Sequence, residues 1–586
     1  MTSLKTRWFN LARLFGGGSA LLVALCLVTP IAAPAQTLTT LVNFNDSNGA
    51  YPEYVSLVQG RDGNYYGTTV NGGAYYGERC SDAGCGTVFK ITPGGTLTTV
   101  YSFCSLSGCP DGAEPSAGLV LGTDGNFYGT TYGGGVNSGC AGCGTVFKIT
   151  PAGKLTTLYS FCALSGCADG ELPYAGLVQA TNGNFYGTTF SGGTNDGCGN
   201  GSGCGTIFKI TPAGKLTTLH SFCSQTNCSD GAAPYAGLVQ ATNGNFYGTT
   251  RGYGSGPGTV FEITPAGKLT TLYTFCSQSG CGTYPLAGLV QGTDGNFYGT
   301  TESGGAYDRG IVFKVTPTGK LTTLYSFCSE TPYCTDGTYP LAGLVQGTDG
   351  NFYGTTSAGG ANGYGTVFKI TPKGKLTTLY SFCSQTGCTD GQMPSGGVFQ
   401  ATDGTFYGTT YFGGSSGVGT VFSLSMGLGP FVSFVRNSGK VGANVEILGQ
   451  GFTGTTGVSF NGTAAQFKVV SATYLTATVP NGATTGTVTV TTPGGTLNSN
   501  VIFRVTPQIT SFKPTSGPVG TPVTIYGVSL TQTTKVTFGG VKATQFTVNS
   551  DTQVTAYVPT GAKTGHIAIT TLGGTAVSSG IFTVTQ

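Results

Sequence analysis

The chain has 586 residues, of which 102 are glycine, 39% are hydrophobic and only 8% are charged. That length exceeds what one hydrophobic core needs, and an aromatic content of 11% argues against a disordered, glycine-rich chain. The net charge of +3 divides into +3 for residues 1–35, −6 for residues 36–425 and +6 for residues 426–586. The uniformly basic surface typical of nucleic-acid-binding proteins is therefore absent, and no nucleic-acid partner is expected.

The first 35 residues have the features of a secretory signal peptide. Three basic residues precede an apolar run, Ser19–Val28, which is too short to span a bilayer. Small residues at 33–35 favour cleavage after Ala35. The sequence predicts an exported chain, secreted or displayed at the cell surface, with no membrane span after cleavage. An uncleaved anchor helix is the alternative.

A hexapeptide, NFYGTT, marks a unit that recurs seven times. Each unit has four short runs, here named A (GLVQA), B (NFYGTT), C (GTVFKIT) and D (LTTLYSF), separated by Asp-Gly, Asn-Gly and Pro-containing turn signals. Runs of this composition are typical of β-strands. Seven units of four strands predict a seven-bladed β-propeller over residues 36–425, with a β-helix as the main alternative. The hexapeptide or its variant starts at Asn64, Asn126, Asn184, Asn245, Asn296, Asn351 and Thr405.

The phase of the repeat predicts how the array closes. A lone D run at Leu38–Phe44 comes first, whereas the last unit, Gly396–Ser425, has runs A, B and C but no D. We expect the N-terminal strand to complete the last blade, because this pairing removes an open sheet edge. The hexapeptide's Phe and Tyr are expected to fill the space between neighbouring blades.

The two faces of such a propeller differ in sequence. The A–B and C–D turns are short and alike, whereas the B–C and D–A loops are long, varied and rich in Tyr. Variable loops on a rigid scaffold are where binding usually occurs, although solvated loop decoration is the alternative. The sequence-predicted ligand-binding residues are Tyr75, Tyr76, Arg79, Tyr132, Arg251, Tyr253, Tyr307, Asp308, Arg309 and Tyr411.

Eighteen cysteines follow the signal segment, and all of them fall in these variable loops. A metal site would need pairs brought together as free thiolates, so in an exported chain we expect disulfides, no metal and no cofactor. Pairing within each loop is favoured because the D–A pairs persist without the B–C pairs, but cross-strand bridges such as Cys85–Cys104 remain open. The pairs are Cys80/Cys85, Cys104/Cys109, Cys140/Cys143, Cys162/Cys167, Cys198/Cys204, Cys223/Cys228, Cys276/Cys281, Cys328/Cys334 and Cys383/Cys388.

The sequence predicts no catalytic residue. Of the two histidines, His220 takes the place of a strand Tyr and His566 lies in a C-terminal strand, so Ser-His-Asp and Cys-His catalysis have little support. The recurrent Asp-Gly pairs of the D–A loops fit turn formation. They could also supply the two carboxylates of a glycosidase, which keeps an enzyme as an alternative.

After Ser425 two related segments replace the repeat, Gly442–Gly495 and Gly520–Gly574. Their short alternating runs predict two immunoglobulin-like β-sandwiches, over 430–505 and 507–586. The stretch Ile509–Gly527 (ITSFKPTSGPVGTPVTIYG) resembles the IPT/TIG family, which implies a stalk, spacer or binding module without catalytic residues. The first copy departs from the pattern at Arg436–Lys440.

The repeat itself, with its DGNFYGTT and GTVFKI runs, is similar to the GloVer-type tandem repeats of bacterial extracellular proteins over nearly all of residues 38–425. That resemblance implies export more than a biochemical activity. The expected function is recognition of an extracellular glycan or protein through the disulfide-rich loop face. A polysaccharide-active hydrolase or lyase at the channel mouth and a structural envelope protein are the alternatives.

Overall fold

A computed structural model describes residues 36–76, 80, 83–137, 142–198, 203–252, 258–275, 282–330 and 332–586. The predicted signal peptide lies outside these residues. The described chain is built from β-strands and loops, with 3-10 turns at Ser165–Cys167, Thr226–Cys228 and Thr386–Cys388. Over the same residues, no helix has the length and apolar character that crossing a membrane requires.

Residues 37–425 form seven antiparallel four-stranded sheets, numbered 1 to 7 in chain order, each with strands in the order A-B-C-D. The A strands are Val58–Gln59, Val120–Leu121, Val178–Gln179, Val239–Gln240, Val290–Gln291, Val345–Gln346 and Phe399–Gln400. The B strands are Tyr65–Thr69, Phe127–Thr131, Phe185–Thr189, Phe246–Thr250, Phe297–Thr301, Phe352–Thr356 and Phe406–Thr410. The C strands are Thr87–Ile91, Thr145–Ile149, Thr206–Ile210, Thr259–Ile263, Ile311–Val315, Thr366–Ile370 and Thr420–Ser425. The D strands of sheets 1 to 6 are Leu97–Ser102, Leu155–Ser160, Leu216–Ser221, Leu269–Thr274, Leu321–Ser326 and Leu376–Ser381. A separate two-stranded ribbon pairs Gly282–Thr283 with Ser303–Gly304.

The N-terminal strand, Thr37–Asn43, supplies the D strand of sheet 7. It pairs antiparallel with Thr420–Ser425, so that Thr37 lies opposite Ser425 and Asn43 opposite Thr420. The pairing predicted from the phase of the repeat is confirmed. It covers the outer edge of the last C strand with a segment from the other end of the array.

Aromatic rings of the hexapeptide join each sheet to the next. The B-strand Tyr of one sheet packs on the B-strand Phe of the following sheet, with ring centroids 4.0–4.1 Å apart. Sheet 7 contacts sheet 1 in the same way, through Tyr407 and Tyr65 at 4.3 Å. The expectation that these side chains fill the space between sheets is confirmed. The six equivalent pairs are Tyr66–Phe127, Tyr128–Phe185, Tyr186–Phe246, Tyr247–Phe297, Tyr298–Phe352 and Tyr353–Phe406.

Hydrogen bonds repeat the same cyclic order. The first Thr of each hexapeptide donates to a backbone carbonyl of the next sheet, as Thr130 does to Ala175 at 2.9 Å. The last sheet bonds to the first through Thr409 and Val55. The A-strand Gln of a sheet accepts from the A–B turn of the preceding one, and Gln59 of sheet 1 accepts from Thr402 of sheet 7. The seven sheets therefore form a closed series of contacts.

The C-terminal region forms two β-sandwiches. The first has one sheet of Ser433–Phe434, Asn444–Leu448, Tyr474–Thr478 and Phe467–Val469, and a second of Thr463–Ala464, Gly457–Phe460, Val488–Thr492 and Gly495–Asn498. A parallel pair, Ser438–Gly439 and Arg504–Val505, lies beside them. The second sandwich also has two sheets. One consists of Gln508–Lys513, Pro522–Val528, Gln553–Tyr557 and Phe546–Ser550. The other consists of Ser516–Gly517, Gly574–Val584, Gly565–Thr571, Thr533–Phe538 and Val541–Lys542. Alternate residues face each core, as the sequence pattern predicts.

The first sandwich packs on the A–B turns of the seven-sheet region. Arg61 in the turn of sheet 1 forms a 2.7 Å ion pair with Glu446, and its guanidinium lies 5.1 Å from the ring centroid of Tyr474. Burial raises the pKa of Glu446, and Arg61 opposes that shift. Arg504 donates to the backbone of Thr242 in sheet 4 at 2.8 Å. The first sandwich is thus held directly against the turn face.

Seven disulfides join described cysteines, and each lies within one loop. Every disulfide that joins two described cysteines links residues five or six positions apart, and sequence reasoning favoured this arrangement over cross-strand bridges. Cys143 is also disulfide-bonded, whereas Cys140, Cys276 and Cys281 lie outside the described residues. The pairs are Cys80–Cys85, Cys104–Cys109, Cys162–Cys167, Cys198–Cys204, Cys223–Cys228, Cys328–Cys334 and Cys383–Cys388.

Removing the N-terminal strand tests the closure. A chain that begins at Asn45 loses the buried side chains of Val42 and Phe44 and leaves the C strand of sheet 7 unpaired. We expect its melting temperature to fall by about 10 °C or more, with aggregation through the free edge. A chain that ends at Thr506 lacks only the second sandwich and should retain the melting transition of the seven sheets. Equal melting of the two truncated chains would contradict the closure.

Candidate functional site

Three side-chain positions recur in every sheet at the inner end of the variable loops. Mouth position 1 precedes the proline that ends the D–A loop, mouth position 2 lies just before the A strand, and mouth position 3 follows the B strand. Position 1 holds Tyr51, Glu114, Leu172, Ala233, Tyr284, Tyr339 and Met393. Position 2 holds Tyr54, Ser116, Tyr174, Tyr235, Leu286, Leu341 and Ser395. Position 3 holds Val70, Tyr132, Phe190, Arg251, Glu302, Ser357 and Tyr411.

The backbone of these positions is the same in all seven sheets. The N–H of position 3 donates to the carbonyl of position 1 over 3.0–3.1 Å. Position 1 has a φ of 53–57° in every sheet, a left-handed conformation that non-glycine residues adopt rarely. One constant frame therefore carries seven different sets of side chains, so the differences among them are not required by the fold.

A central cavity of about 470 Å³ lies between the sheets and is lined by the residues of mouth position 2, except Ser116, and by the first residues of each A run. The sheets approach closely here, since a Cβ added to Gly176 would lie 3.0 Å from the carbonyl oxygen of Gly118. Small residues thus let the seven A strands surround one narrow space. Mouth positions 1 and 3 do not line the cavity, but they border its lining, as where Tyr132 packs on Tyr174. The three mouth positions together are called the rim.

Four tyrosines form a connected aromatic cluster at this rim. Tyr132 packs on Tyr174 at 4.5 Å between ring centroids, and Tyr174 stacks on Tyr235 at 4.6 Å and 22°. Tyr235 in turn meets the ring of Tyr54 edge-on at 5.5 Å. Tyr54 belongs to sheet 1 and Tyr235 to sheet 4, which are not neighbours, so this contact crosses the cavity. The cluster presents flat apolar faces together with phenolic hydroxyls.

Burial and neighbouring acids shift the ionisation of these groups. Burial, followed by the charge of Glu53, raises the pKa of Tyr54 to about 12. Burial also raises the pKa of Tyr174 and of Tyr235 above the usual range. The pKa of Glu53 is raised by burial, against a hydrogen bond from Tyr54. The phenols of Tyr54, Tyr174 and Tyr235 thus stay protonated at neutral pH and can donate hydrogen bonds.

A second acid and a cation stand on the same rim. Burial raises the pKa of Glu302, although the charge of Arg251 opposes the shift. The guanidinium of Arg251 lies 5.3 Å from the ring centroid of Tyr284. Its Nε atom is buried and has no hydrogen-bond partner among the described residues. Arg251 is therefore a polar group at the rim with unused donor capacity.

The structure brings four of the sequence-predicted ligand-binding residues to this rim or its edge. Tyr132 and Arg251 occupy mouth position 3, as does Tyr411, whose ring lies 5.2 Å from that of Tyr51. Arg309 packs its guanidinium 5.3 Å from the ring centroid of Tyr339 at mouth position 1.

The other predicted ligand-binding residues are not part of this cluster. Tyr75, Tyr76 and Tyr307 are exposed in B–C loops. Asp308 accepts a hydrogen bond from the backbone N–H of Gly304 at 2.9 Å, which closes a loop turn. Arg79 and Tyr253 lie outside the described residues.

Sequence reasoning missed Tyr54, Tyr174 and Tyr235. They stand one residue before the A run, where the surrounding prolines and small residues indicate a turn. Aligning the seven units of the chain with one another would have singled out this position, because it varies among Tyr, Ser and Leu inside an otherwise uniform stretch. The contact between Tyr54 and Tyr235 depends on the cyclic order of the sheets and has no local signature.

The recurrent aspartates of the D–A loops serve the turn. Asp169 accepts hydrogen bonds from the hydroxyl of Tyr159 and the N–H of Ala163 at 2.8 and 3.0 Å. In sheet 3 the same role falls to Asp230, which His220 contacts through Nε2 at 3.0 Å. His220 thus takes the structural place of a Tyr, as its position in the repeat predicts.

Among solved structures, the chain is similar to the extracellular domain of a protein assigned as a hybrid two-component system of B. thetaiotaomicron. The match has 10% sequence identity and a TM-score of 0.43 and covers 93% of this chain. The chain spans 58% of the length of that structure. A fungal alcohol oxidase of the AA5 family in complex with copper matches at 13% identity and a TM-score of 0.44, over 80% of this chain and 98% of its own. The surface glycan-binding protein PbSGBP-B of Prevotella bryantii matches at 17% identity and a TM-score of 0.20, over 27% of this chain and 39% of its own.

No curated protein sequence matches the chain significantly. A family described as the Gloeobacter/Verrucomicrobia repeat matches three stretches, residues 27–200, 139–335 and 331–550. The matches cover most of the chain, and the third extends beyond sheet 7 into the two sandwiches. The chain therefore belongs to the Gloeobacter/Verrucomicrobia repeat family.

Proposed function

We propose that the chain is an exported recognition protein that binds carbohydrate at the rim of its central cavity. The observation that carries this proposal is the contrast between a backbone repeated seven times and the side chains at its mouth positions. Eight of these positions hold Tyr, and the cluster of Tyr54, Tyr174 and Tyr235 gathers around one cavity. Binding sites commonly combine a rigid frame with variable side chains in this way.

In this proposal residues 36–425 form a seven-bladed β-propeller and the seven sheets are its blades. The cyclic contacts from sheet 7 back to sheet 1 support this architecture. Residues 430–505 and 507–586 form two domains of the IPT/TIG type, supported by their two-sheet sandwiches and by the sequence at Ile509–Gly527. Residues 1–35 act as the signal peptide.

The chemistry of the rim favours carbohydrate over protein as the ligand. A stacked pair of tyrosines offers a flat apolar surface for the face of a sugar ring, and the phenols donate to its hydroxyls. Glu53, Glu302 and Arg251 add acceptors and donors around the cavity. A cavity of about 470 Å³ has the size of a small-ligand site, whereas protein interfaces are broad and flat.

The first sandwich directs access to the loop face. It covers the opposite ends of the A strands, where Val58, Leu121 and Phe399 face Val435 and Leu448 across a space of about 200 Å³. Ligand would therefore enter between the variable loops. The local disulfides of these loops suit an oxidising, extracellular setting, so the proposed location is secreted or at the cell surface.

Substituting a rim tyrosine tests the site. We expect Tyr174→Ala to weaken binding of the glycan selected on an array by roughly tenfold to a hundredfold, because stacking and apolar burial of about 1.5–3 kcal/mol are lost. Tyr76→Ala removes an equally large side chain that is 60% exposed in a B–C loop, so it should leave the Kd unchanged. Calorimetric titration of chain 36–586 gives both values.

The same titration separates the alternatives. Loss of affinity in Tyr76→Ala but not in Tyr174→Ala would move the site to the outer loops and contradict the proposal. Absence of binding across the array, or captured proteins in place of glycans, would contradict the carbohydrate ligand. Shortened glycan products after incubation would show a polysaccharide-active enzyme instead.

The raised pKa of Glu53 makes the stability of the rim depend on pH. The folded state holds this proton more tightly than the unfolded state, whose pKa is near 4.5, so stability is greatest below that value and is lost as pH rises through the folded pKa. We expect Glu53→Gln to raise the melting temperature near neutral pH. The gain should vanish at about pH 4, where the native side chain is already neutral.

Melting curves from about pH 4 to about pH 8 measure this difference. Glu330→Gln, at an exposed site, is the matched control and should show no such gain. A difference between Glu53→Gln and the native chain that is constant over this pH range would contradict the buried-carboxyl interpretation.

A further inference from the structure

The loops of two sheets each bring four cysteines together. In sheet 1 the B–C loop contributes Cys80 and Cys85, and the D–A loop contributes Cys104 and Cys109. Sheet 3 repeats this with Cys198, Cys204, Cys223 and Cys228. Within each cluster the four sulfur atoms all lie within 4.8 Å of one another. From the sequence, a metal site requires both that two pairs come together and that their thiolates are free. The two clusters meet the first requirement, whereas their cysteines are disulfide-bonded in this structure.

The two disulfides of each cluster lie close enough for one metal ion to reach all four sulfurs once they are reduced. In the oxidised structure the sulfurs are bonded in pairs, and no separation within a cluster exceeds 4.8 Å. Zinc–thiolate bonds of about 2.3 Å place the four sulfurs of a Cys₄ site roughly 3.8 Å apart, so reduction would have to let the paired sulfurs move apart while the two loops keep their positions. Two ligands come from each of two loops, as in many structural zinc sites. Cys85, Cys109 and Cys204 are almost fully buried, so a bound ion would be shielded from water.

Sheets 5 and 6 provide an internal comparison. Their D–A loops carry Cys328–Cys334 and Cys383–Cys388, and all four of these cysteines have a positive φ, as do Cys104 and Cys109 of sheet 1. The D–A loop thus takes the same conformation without a second cysteine pair. The B–C pairs of sheets 1 and 3 are additions that the loop fold does not require.

We propose that each of these two clusters, in the reduced protein, binds one soft divalent cation such as Zn²⁺ through four thiolates. A thiol or phosphine reductant supplies two electrons per disulfide, and two protons complete the two thiols. Binding of Zn²⁺ then releases the four thiol protons of a cluster and forms four Zn–S bonds. A small-molecule disulfide then reverses the change: thiol–disulfide exchange removes two electrons per cysteine pair, restores the two local disulfides, breaks the four Zn–S bonds and leaves the oxidant as two thiols for each disulfide formed.

The two states differ in what they connect. A local disulfide such as Cys80–Cys85 closes one loop on itself, whereas a tetrathiolate ion ties the B–C loop to the D–A loop. The metal-bound form should therefore protect both loops against hydrogen exchange and proteolysis together.

Sheet 2 has a related cluster, in which the ligand atoms of Cys143, Cys162, Cys167 and Glu171 also lie within 4.8 Å of one another. Because Cys140 is outside the described residues, we confine the inference to sheets 1 and 3.

Zinc stoichiometry of matched variants tests the inference. Chain 36–586 is kept reduced with a phosphine, incubated with Zn²⁺, freed of unbound metal without air, and analysed by inductively coupled plasma mass spectrometry. C80S/C85S and C198S/C204S should each contain one zinc fewer per chain than the native protein. C383S/C388S removes an isolated pair and should contain the native amount.

Cobalt provides a second readout, because a tetrahedral Co²⁺–thiolate centre has characteristic visible absorption. This absorption should be weaker in C80S/C85S and in C198S/C204S than in the native protein, and unchanged in C383S/C388S. Equal zinc content in all four proteins would overturn the inference. So would equal losses in all three variants, since metal held by an unfolded chain would not distinguish clustered from isolated pairs. Near-ultraviolet circular dichroism verifies that the reduced proteins remain folded.

Discussion

The stacking of one tyrosine on an aromatic ring of the next sheet is the contact on which the fold depends. Each B strand is buried along its whole length, because sheets press on both of its faces. A single four-stranded sheet of this size has too little core to be stable alone, so stability comes from neighbouring interfaces. A series of such interfaces is complete only when the last sheet meets the first, and the pair Tyr407–Tyr65 makes that contact.

Because the contacts between sheets depend on the hexapeptide, most of the repeat is constant and only a few positions vary. The hexapeptide holds the sheets together through rings, a hydroxyl and a close-packed glycine. A Cβ on Gly129, for example, would lie 2.6 Å from the ring of Phe147. The residues on either side of this frame, at the mouth positions, carry no such constraint. Their side chains are free to suit a ligand.

Local sequence patterns predicted the parts of the structure that rest on short-range chemistry. The strand runs, the pairing of Thr37–Asn43 with sheet 7 and the disulfides within loops all followed from spacing and phase. The Tyr54–Tyr235 contact did not, since two sheets distant in sequence meet across the cavity. The ion pair between Arg61 and Glu446 joins residues 385 positions apart. Because it is a single polar contact with no repeating pattern, the sequence gives no basis for predicting it.

Each of the two cysteine clusters is joined to a mouth position by a backbone hydrogen bond. The carbonyl of Cys85 in sheet 1 accepts from the N–H of Glu114, a mouth position in sheet 2, at 2.8 Å. Cys204 in sheet 3 does the same for Ala233 in sheet 4, also at 2.8 Å. The same hydrogen bond occurs where the B–C loop has no cysteine: Tyr339 donates to the carbonyl of Arg309, and Met393 to that of Tyr364, both at 2.9 Å. The repeated frame therefore holds the mouth backbone by itself, and a disulfide or metal ion at Cys85 or Cys204 would add stiffness to a contact that already exists. The sulfurs and the proposed binding site are neighbours through the backbone, but the positions of the mouth side chains do not depend on the sulfurs.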